Sequence, residues 1–434
     1  MNKPYIIIKK NIFSLFITLI VCFFSVYNNY PVLSYSANEY LQKVNGGDDL
    51  KHIRKSVYFN EKSFVSVQQD DIRTHNPGPS ITHFLILKIW GWNTPYYVLV
   101  IYIISAYFLF YVILLTLSLS KTNITKNILF YSPFILYLIK LQLVSITYVM
   151  LFDTISCLLV ILSLIIVCKR DNNRFYHLTI ACVSFSYAFL LRSLTDIMGV
   201  TTFLCMSLIC FASYFKPIRL LLPWHRIVQL VSILFLSLFT LSFYKIKVNN
   251  TPIAFKSAQG HWSRLWKQPD FWWGERYKGN WIDRGGGFIM CDTYSKTCED
   301  IINTENKKSI DFKWLTIKTV IQNPLPFLIK KSLVIIRYWF SNQPILDGLI
   351  FLSFLISIYH SFTRRYKRNF LLFIATLVLV LSNILILFFT HIEVRYFILP
   401  KTALLFSVLL YLGELLNKRN IIKRDGNPPI NSGV

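Results

Sequence analysis

The sequence predicts an all-α polytopic membrane protein with about ten transmembrane helices, and three observations carry that reading. Of its 434 residues, 54% are hydrophobic and only 15% charged, against roughly 45–50% and 25% in an ordinary soluble domain. The apolar residues come in long blocks such as Ile12–Tyr27, Pro95–Leu119 and Leu371–Thr390, close to the ~17–25 residues a bilayer-crossing helix needs. The 46 Lys and Arg outnumber the 21 Asp and Glu, and they lie between the blocks rather than on a basic soluble domain. That placement argues for a membrane orientation signal and against a nucleic-acid partner.

Taken in order, the expected spans are 12–28, 95–117, 128–143, 146–167, 177–191, 196–214, 227–244, 344–360, 370–390 and 396–414. With the N-terminus inside, the short inner segments and tails carry 19 basic residues, from Lys3, Lys9 and Lys10 to Lys418, Arg419, Lys423 and Arg424. The short outer connections carry only Lys140, Arg192 and Arg395. The positive-inside rule then places both termini in the cytoplasm. Ile12–Tyr27 has no A-x-A-like cleavage site after it and reads as an uncleaved first helix.

The whole chain, 1–434, reads as a single membrane-embedded domain with two large external segments, 29–94 and 245–343. Each segment holds a short apolar stretch broken by charge, Ile81–Trp92 with Lys88 and Leu325–Phe340 with Lys330, Lys331 and Arg337. These fit helices lying in the interface, their cations meeting lipid head groups. The polar tail 417–434, with Pro428 and Pro429, reads as disordered and cytoplasmic.

Six cysteines lie in or at the ends of apolar blocks and behave as small hydrophobes. Cys291 and Cys298 share the large outer segment, where a close pair readily oxidises to a disulfide. Alone they lack the further ligands that zinc demands.

Several polar residues stand out against this background. Asp48 and Asp49 lie in the external segment after the first span and suit either a general base or a cation site; the other reading is a helix cap. His75 opens a rigid His-Asn-Pro-Gly-Pro turn that is either a substrate contact or simply a turn. Asp153, Arg192 with Asp196, and the cluster His391, Glu393, Arg395 and Tyr396 lie near the expected outer ends of later spans. Ionisable groups there cost about 2.5–3.5 kcal/mol on insertion scales, so they pair with one another or line a cavity. The planar fork of Arg suits phosphate. Five of ten tryptophans fall within residues 262–281, which fits a sugar platform or an interfacial aromatic belt. Arg284-Gly285-Gly286-Gly287 lacks a nucleotide fingerprint.

In this order the features resemble the integral-membrane glycosyltransferases of the GT-C fold, which include protein mannosyltransferases and the aminoarabinose and rhizobial lipopolysaccharide sugar transferases. The matching pieces are Asp48-Asp49; the Pro-containing lead-in from His75 to Ile89-Trp90-Gly91; Asp153; Leu190-Leu191-Arg192; Asn323-Pro324; and Glu393-Val394-Arg395-Tyr396-Phe397-Ile398-Leu399-Pro400. The resemblance implies single-sugar transfer, with inversion, from a polyprenyl-phosphate donor to an envelope glycan or glycolipid such as O-antigen or lipopolysaccharide. The implied location is the outer face of a bacterial cytoplasmic membrane. By the same resemblance Asp48 or Asp49 is the base, Arg395, Arg192 and His391 hold the donor phosphate, and His75, Glu393, Tyr396 and Asp153 contact substrate. No nucleotide cofactor is expected, and a divalent cation is left open because the chain has Asp-Asp-Leu-Lys where the family often has Asp-Glu and an aromatic. The competing readings are an O-antigen polymerase or ligase and a lipid-linked glycan transporter or flippase.

Overall fold

The computed structural model describes residues 34–36, 38–39, 42, 52–57, 78–95, 153–168, 175–191, 276–277, 280–281, 321, 324–341, 343–363, 370–388 and 394–425, with isolated positions in 228–239. Its helices are α1 (Gly78–Trp90), α2 (Asp153–Cys168), α3 (Phe175–Leu191), α4 (Pro324–Trp339), α5 (Pro344–Thr363), α6 (Phe370–Phe388) and α7 (Ile398–Asp425). A short 3-10 turn, Val394–Phe397, leads into α7. Two-residue strands β1 (Arg276–Tyr277) and β2 (Asn280–Trp281) form an antiparallel hairpin that pairs Arg276 with Trp281.

Among the described residues no helix is long and apolar enough to cross a membrane, so the expectation of a ten-span polytopic, GT-C-like fold is corrected to a packed helical bundle. For α1 to α4 and α7 the physical reason lies in length, charge and what covers the apolar residues. Helices α1 to α4 have 13 to 17 residues, which at 1.5 Å per residue is about 20–26 Å against a hydrocarbon layer of about 30 Å. The longest helix, α7, spans 28 residues but carries Lys401 near its start and Glu414, Lys418, Arg419, Lys423, Arg424 and Asp425 at its end. Apolar side chains of α2 from Cys157 to Ile166, and of α7 from Ile398 to Tyr411, are mostly buried against other helices. A helix apolar all round is as much the mark of a protein core as of a lipid-facing span. The expected spans 12–28, 95–117, 128–143 and 196–214 lie outside the described residues. Helix α7 also runs nine residues into the tail expected to lack order.

The α2–α3 pair shows why these sequences pack. Ser156 donates to the Ala188 carbonyl at 3.3 Å and Ser163 to the Ala181 carbonyl at 2.8 Å. Seven residues forward in α2 match seven back in α3, two turns each, so the helices run antiparallel along a seam of small residues that lets the backbones approach. Helix α2 then packs on α6 and α7. Helices α5 and α7 run parallel, joined at one end by Asp347 and Lys401 and at the other by the Tyr411 hydroxyl, 2.6 Å from His360 Nδ1. Helix α6 lies antiparallel to α7, with Thr376 and Ser407 hydroxyls 2.8 Å apart.

The segment expected to be the first external one is tied to itself. Ser36 and Glu39 form a reciprocal cap, with Ser36 N–H donating to Glu39 Oε2 at 2.9 Å and Glu39 N–H donating to Ser36 Oγ at 3.2 Å. Asn38 Nδ2 donates to Asn93 Oδ1 at 2.8 Å, just beyond α1. Gly91 ends α1 in the left-handed region with φ 89°, its N–H donating to the Leu87 carbonyl at 2.8 Å, the backbone form that favours glycine past a helix end.

Candidate functional site

Two buried polar arrangements hold the chain segments from which the sequence-nominated residues extend. In the first, helical residues 52–57 lie on the start of α1. His52 Nδ1 is 3.1 Å from Ser80 Oγ. The Ser56 hydroxyl lies 2.7 Å from the His52 carbonyl and 2.9 Å from the Ser80 carbonyl; its single proton serves one acceptor at a time or is shared. His83 is on the same face of α1, one turn beyond Ser80, and fully buried. Lys55 is buried as well, and desolvation pulls its ammonium down from 10.5 to about 8. Burial brings the Lys55 amine within reach of proton exchange near pH 8.

The N-terminus of α1 also meets the C-terminus of α3. A side chain added at Gly78 would lie 2.4 Å from the Leu190 carbonyl oxygen and 2.8 Å from Leu191 N, so glycine permits this approach. The Thr82 and Tyr187 hydroxyls bond across the same contact. Because Ser156 bonds Ala188, the start of α2 lies there too. Four segments therefore converge: residues 52–57, the first turn of α1, the last turn of α3 and the first turn of α2.

In the second arrangement, Lys401 Nζ donates to Asp347 Oδ2 at 2.9 Å, with both side chains buried. Trp339, in the last turn of α4, stands edge-on to Phe397 with centroids 5.3 Å apart, and Lys401 Nζ lies 6.0 Å from the Trp339 ring centroid. Asn383 Nδ2 donates to the Tyr396 carbonyl at 2.9 Å. Pro400, four residues on, has no N–H to offer that carbonyl, and Asn383 adds a side-chain donor to the turn.

Against the sequence expectations, Asp48, Asp49, His75, Arg192, His391, Glu393, Cys291 and Cys298 lie outside the described residues. Asp153 is the first residue of α2 and Arg395 lies in the 3-10 turn, each described as backbone alone. Tyr396 is buried in that turn. Among the described residues no group of three or more His, Cys, Asp or Glu could hold a metal ion. Sequence reasoning missed Lys55, His83, Asp347, Asn383 and Lys401. An acid in the first turn of one apolar block and a lysine in the first turn of another was the available signal for the ion pair. A search of protein-family models finds no match to this chain, and neither does a search of curated proteins.

Proposed function

We propose that the chain transfers a single sugar, with inversion, from a polyprenyl-phosphate donor to an envelope glycan or glycolipid at the outer face of a bacterial cytoplasmic membrane. The observation that carries this reading is the four-segment convergence at Gly78 and Leu190. Arg192 follows Leu191 directly, His75 precedes Gly78 by three residues, Asp49 precedes His52 by three, and Asp153 begins α2. That nearness in sequence to the converging segments is what supports the reading.

The chemistry such a set supports is nucleophilic displacement at the anomeric carbon. Asp48 or Asp49 takes the proton of an acceptor hydroxyl, and the freed oxygen bonds to the anomeric carbon from the face opposite the phosphate. The bond between that carbon and the phosphate oxygen breaks, its electron pair leaving with the lipid phosphate. Arg192, Arg395 and His391 stabilise the growing negative charge. His75, Asp153, Glu393 and Tyr396 orient the sugar and the acceptor. The reaction needs access to a lipid head group, not a spanning helix. Exposed Leu85, Ile89 and Trp90 on α1, and Leu325, Leu328, Ile329, Leu333 and Ile336 on α4, offer apolar surface for that contact.

The test compares wild type with Asp48→Asn, Asp49→Asn and Arg395→Ala at equal abundance. Membranes are assayed with radiolabelled polyprenyl-phosphate sugars, and envelope glycans are profiled by mass spectrometry. Loss of single-sugar addition in one Asp variant supports the transferase. Unchanged glycan masses with altered chain length would favour a polymerase, and altered lipid distribution alone a transporter.

A further inference from the structure

We propose that Asp347 and Lys401 are positioning residues of the donor-phosphate site, a buried ion pair that fixes the 3-10 turn Val394–Phe397 and so pre-sets Arg395. The inference rests on the functional reading above, in which Arg395 holds the lipid phosphate.

A four-residue 3-10 turn has poor hydrogen-bond geometry and little stability of its own. Here it is braced from three helices. Asn383 of α6 holds the Tyr396 carbonyl at 2.9 Å, and Trp339 of α4 packs edge-on against Phe397 at 5.3 Å. Lys401, four residues beyond that phenylalanine, is fixed at 2.9 Å to Asp347 of α5. Asp347 N–H in turn donates to the Gln343 carbonyl at 2.9 Å, so the acid sits in a defined first turn.

Stability alone does not account for burying two charges in this place. Desolvation offsets much of their attraction, and a well-packed apolar pair of similar volume commonly serves stability as well or better. What the ions add is a directional contact of one length between the first turns of α5 and α7. That contact sets where the chain enters α7, and Arg395 is six residues upstream of Lys401. An arginine presenting its fork to phosphate gains most when its backbone is fixed beforehand, because little ordering is left for the moment of binding.

The experiment uses the full chain and measures its binding to liposomes bearing polyprenyl monophosphate, with liposomes bearing uncharged polyprenol as control. The variants are Asp347→Leu with Lys401→Met, Arg395→Ala, the triple combination, and Lys401→Arg. The expected result for the apolar double variant is a thermal midpoint equal to or above wild type and a Kd for polyprenyl phosphate raised at least tenfold. Adding Arg395→Ala to it costs little more, since a pair that acts through Arg395 has nothing left to position. Lys401→Arg keeps the charge and retains most of the affinity. A folded double variant with wild-type Kd overturns the inference while leaving the functional reading standing. Full additivity with Arg395→Ala also overturns it, by showing that the pair acts independently. If the double variant fails to fold, the same comparison is made with Asp347→Asn and Lys401→Gln together, alone and in combination with Arg395→Ala. A wild-type chain that does not prefer polyprenyl phosphate to polyprenol overturns the functional reading and the inference with it.

Discussion

Substituting alanine at three glycines tests whether the convergence of segments is a true close contact. At Gly78 the added Cβ would meet the Leu190 carbonyl oxygen at 2.4 Å, and the obstacle is backbone rather than a movable side chain. Ordinary contact begins at 3.4 Å, so α1 and α3 must separate by about 1 Å, at an overpacking cost of typically 1–3 kcal/mol. Gly78 opens its helix, so the propensity gained from alanine offsets less than the ~1 kcal/mol available in a helix interior. The expected net destabilisation is about 1–2 kcal/mol. Gly348→Ala provides the opposite control: nothing lies within 4 Å of its Cβ, and it sits within α5. It is expected to stabilise by ~0.5–1 kcal/mol. Gly91→Ala meets no atom within 4 Å but has φ +89°, so it costs ~1 kcal/mol through backbone strain alone. Urea unfolding of the full chain, followed by tryptophan fluorescence, gives all three values. If Gly78→Ala proves as stable as wild type, α1 does not rest on α3 and the geometric support for the functional reading is lost.

Other expectations concern the buried polar groups. Lys55 titrates near 8 when folded and at 10.5 otherwise; below about pH 8 both states are protonated and the full burial cost is present. Stability contributed by this group therefore rises as pH climbs from about 8 to 10.5, and Lys55→Met is expected to stabilise the chain at pH 7 by at most roughly 3 kcal/mol. Chemical denaturation across pH 7 to 10.5 checks this; a variant advantage that does not shrink with pH would count against a protonated, buried Lys55. Asn383→Leu leaves the Tyr396 carbonyl without its side-chain donor and is expected to cost about 1–3 kcal/mol. Ser163→Ala should cost less than about 1 kcal/mol, because the Ala181 carbonyl keeps its bond within α3. Denaturant midpoints of the two variants decide the order, and equal losses would contradict the role assigned to Pro400.

Helix positions were legible in the sequence where apolar runs are bounded by breakers. Spans expected at 177–191, 344–360 and 370–390 correspond to α3, α5 and α6 within a few residues. What hydropathy did not distinguish is a helix buried by protein from one buried by lipid, since Cys157 to Ile166 would read the same in either setting. The extension of α7 was missed because hydropathy falls at Glu414, although Glu414 and Lys418 stand four residues apart in the favourable order on one helix face. The two stretches read as interfacial, Ile81–Trp92 and Leu325–Phe340, became α1 and α4, each with exposed apolar side chains. The buried site groups were harder to see. Lys401 and Asp347 lie 54 positions apart, and no local pattern announces a pairing over that distance. His52 and Ser80 lie 28 positions apart, and no local periodicity records their pairing.

The burial of α7 has a consequence for how the chain acquires its structure. Helix α2 ends at 168 and α7, against which it packs, begins at 398. The α2–α3 hairpin can close as soon as it leaves the ribosome, but the apolar face that α2 turns toward α7 has no native cover until some 200 residues more have been made. Contacts so distant in sequence must bear their loop-closure entropy before they give anything back, which slows folding and prolongs exposure of sticky surface. Synthesis stalled between α3 and α7 would therefore leave a half-built core in need of a chaperone.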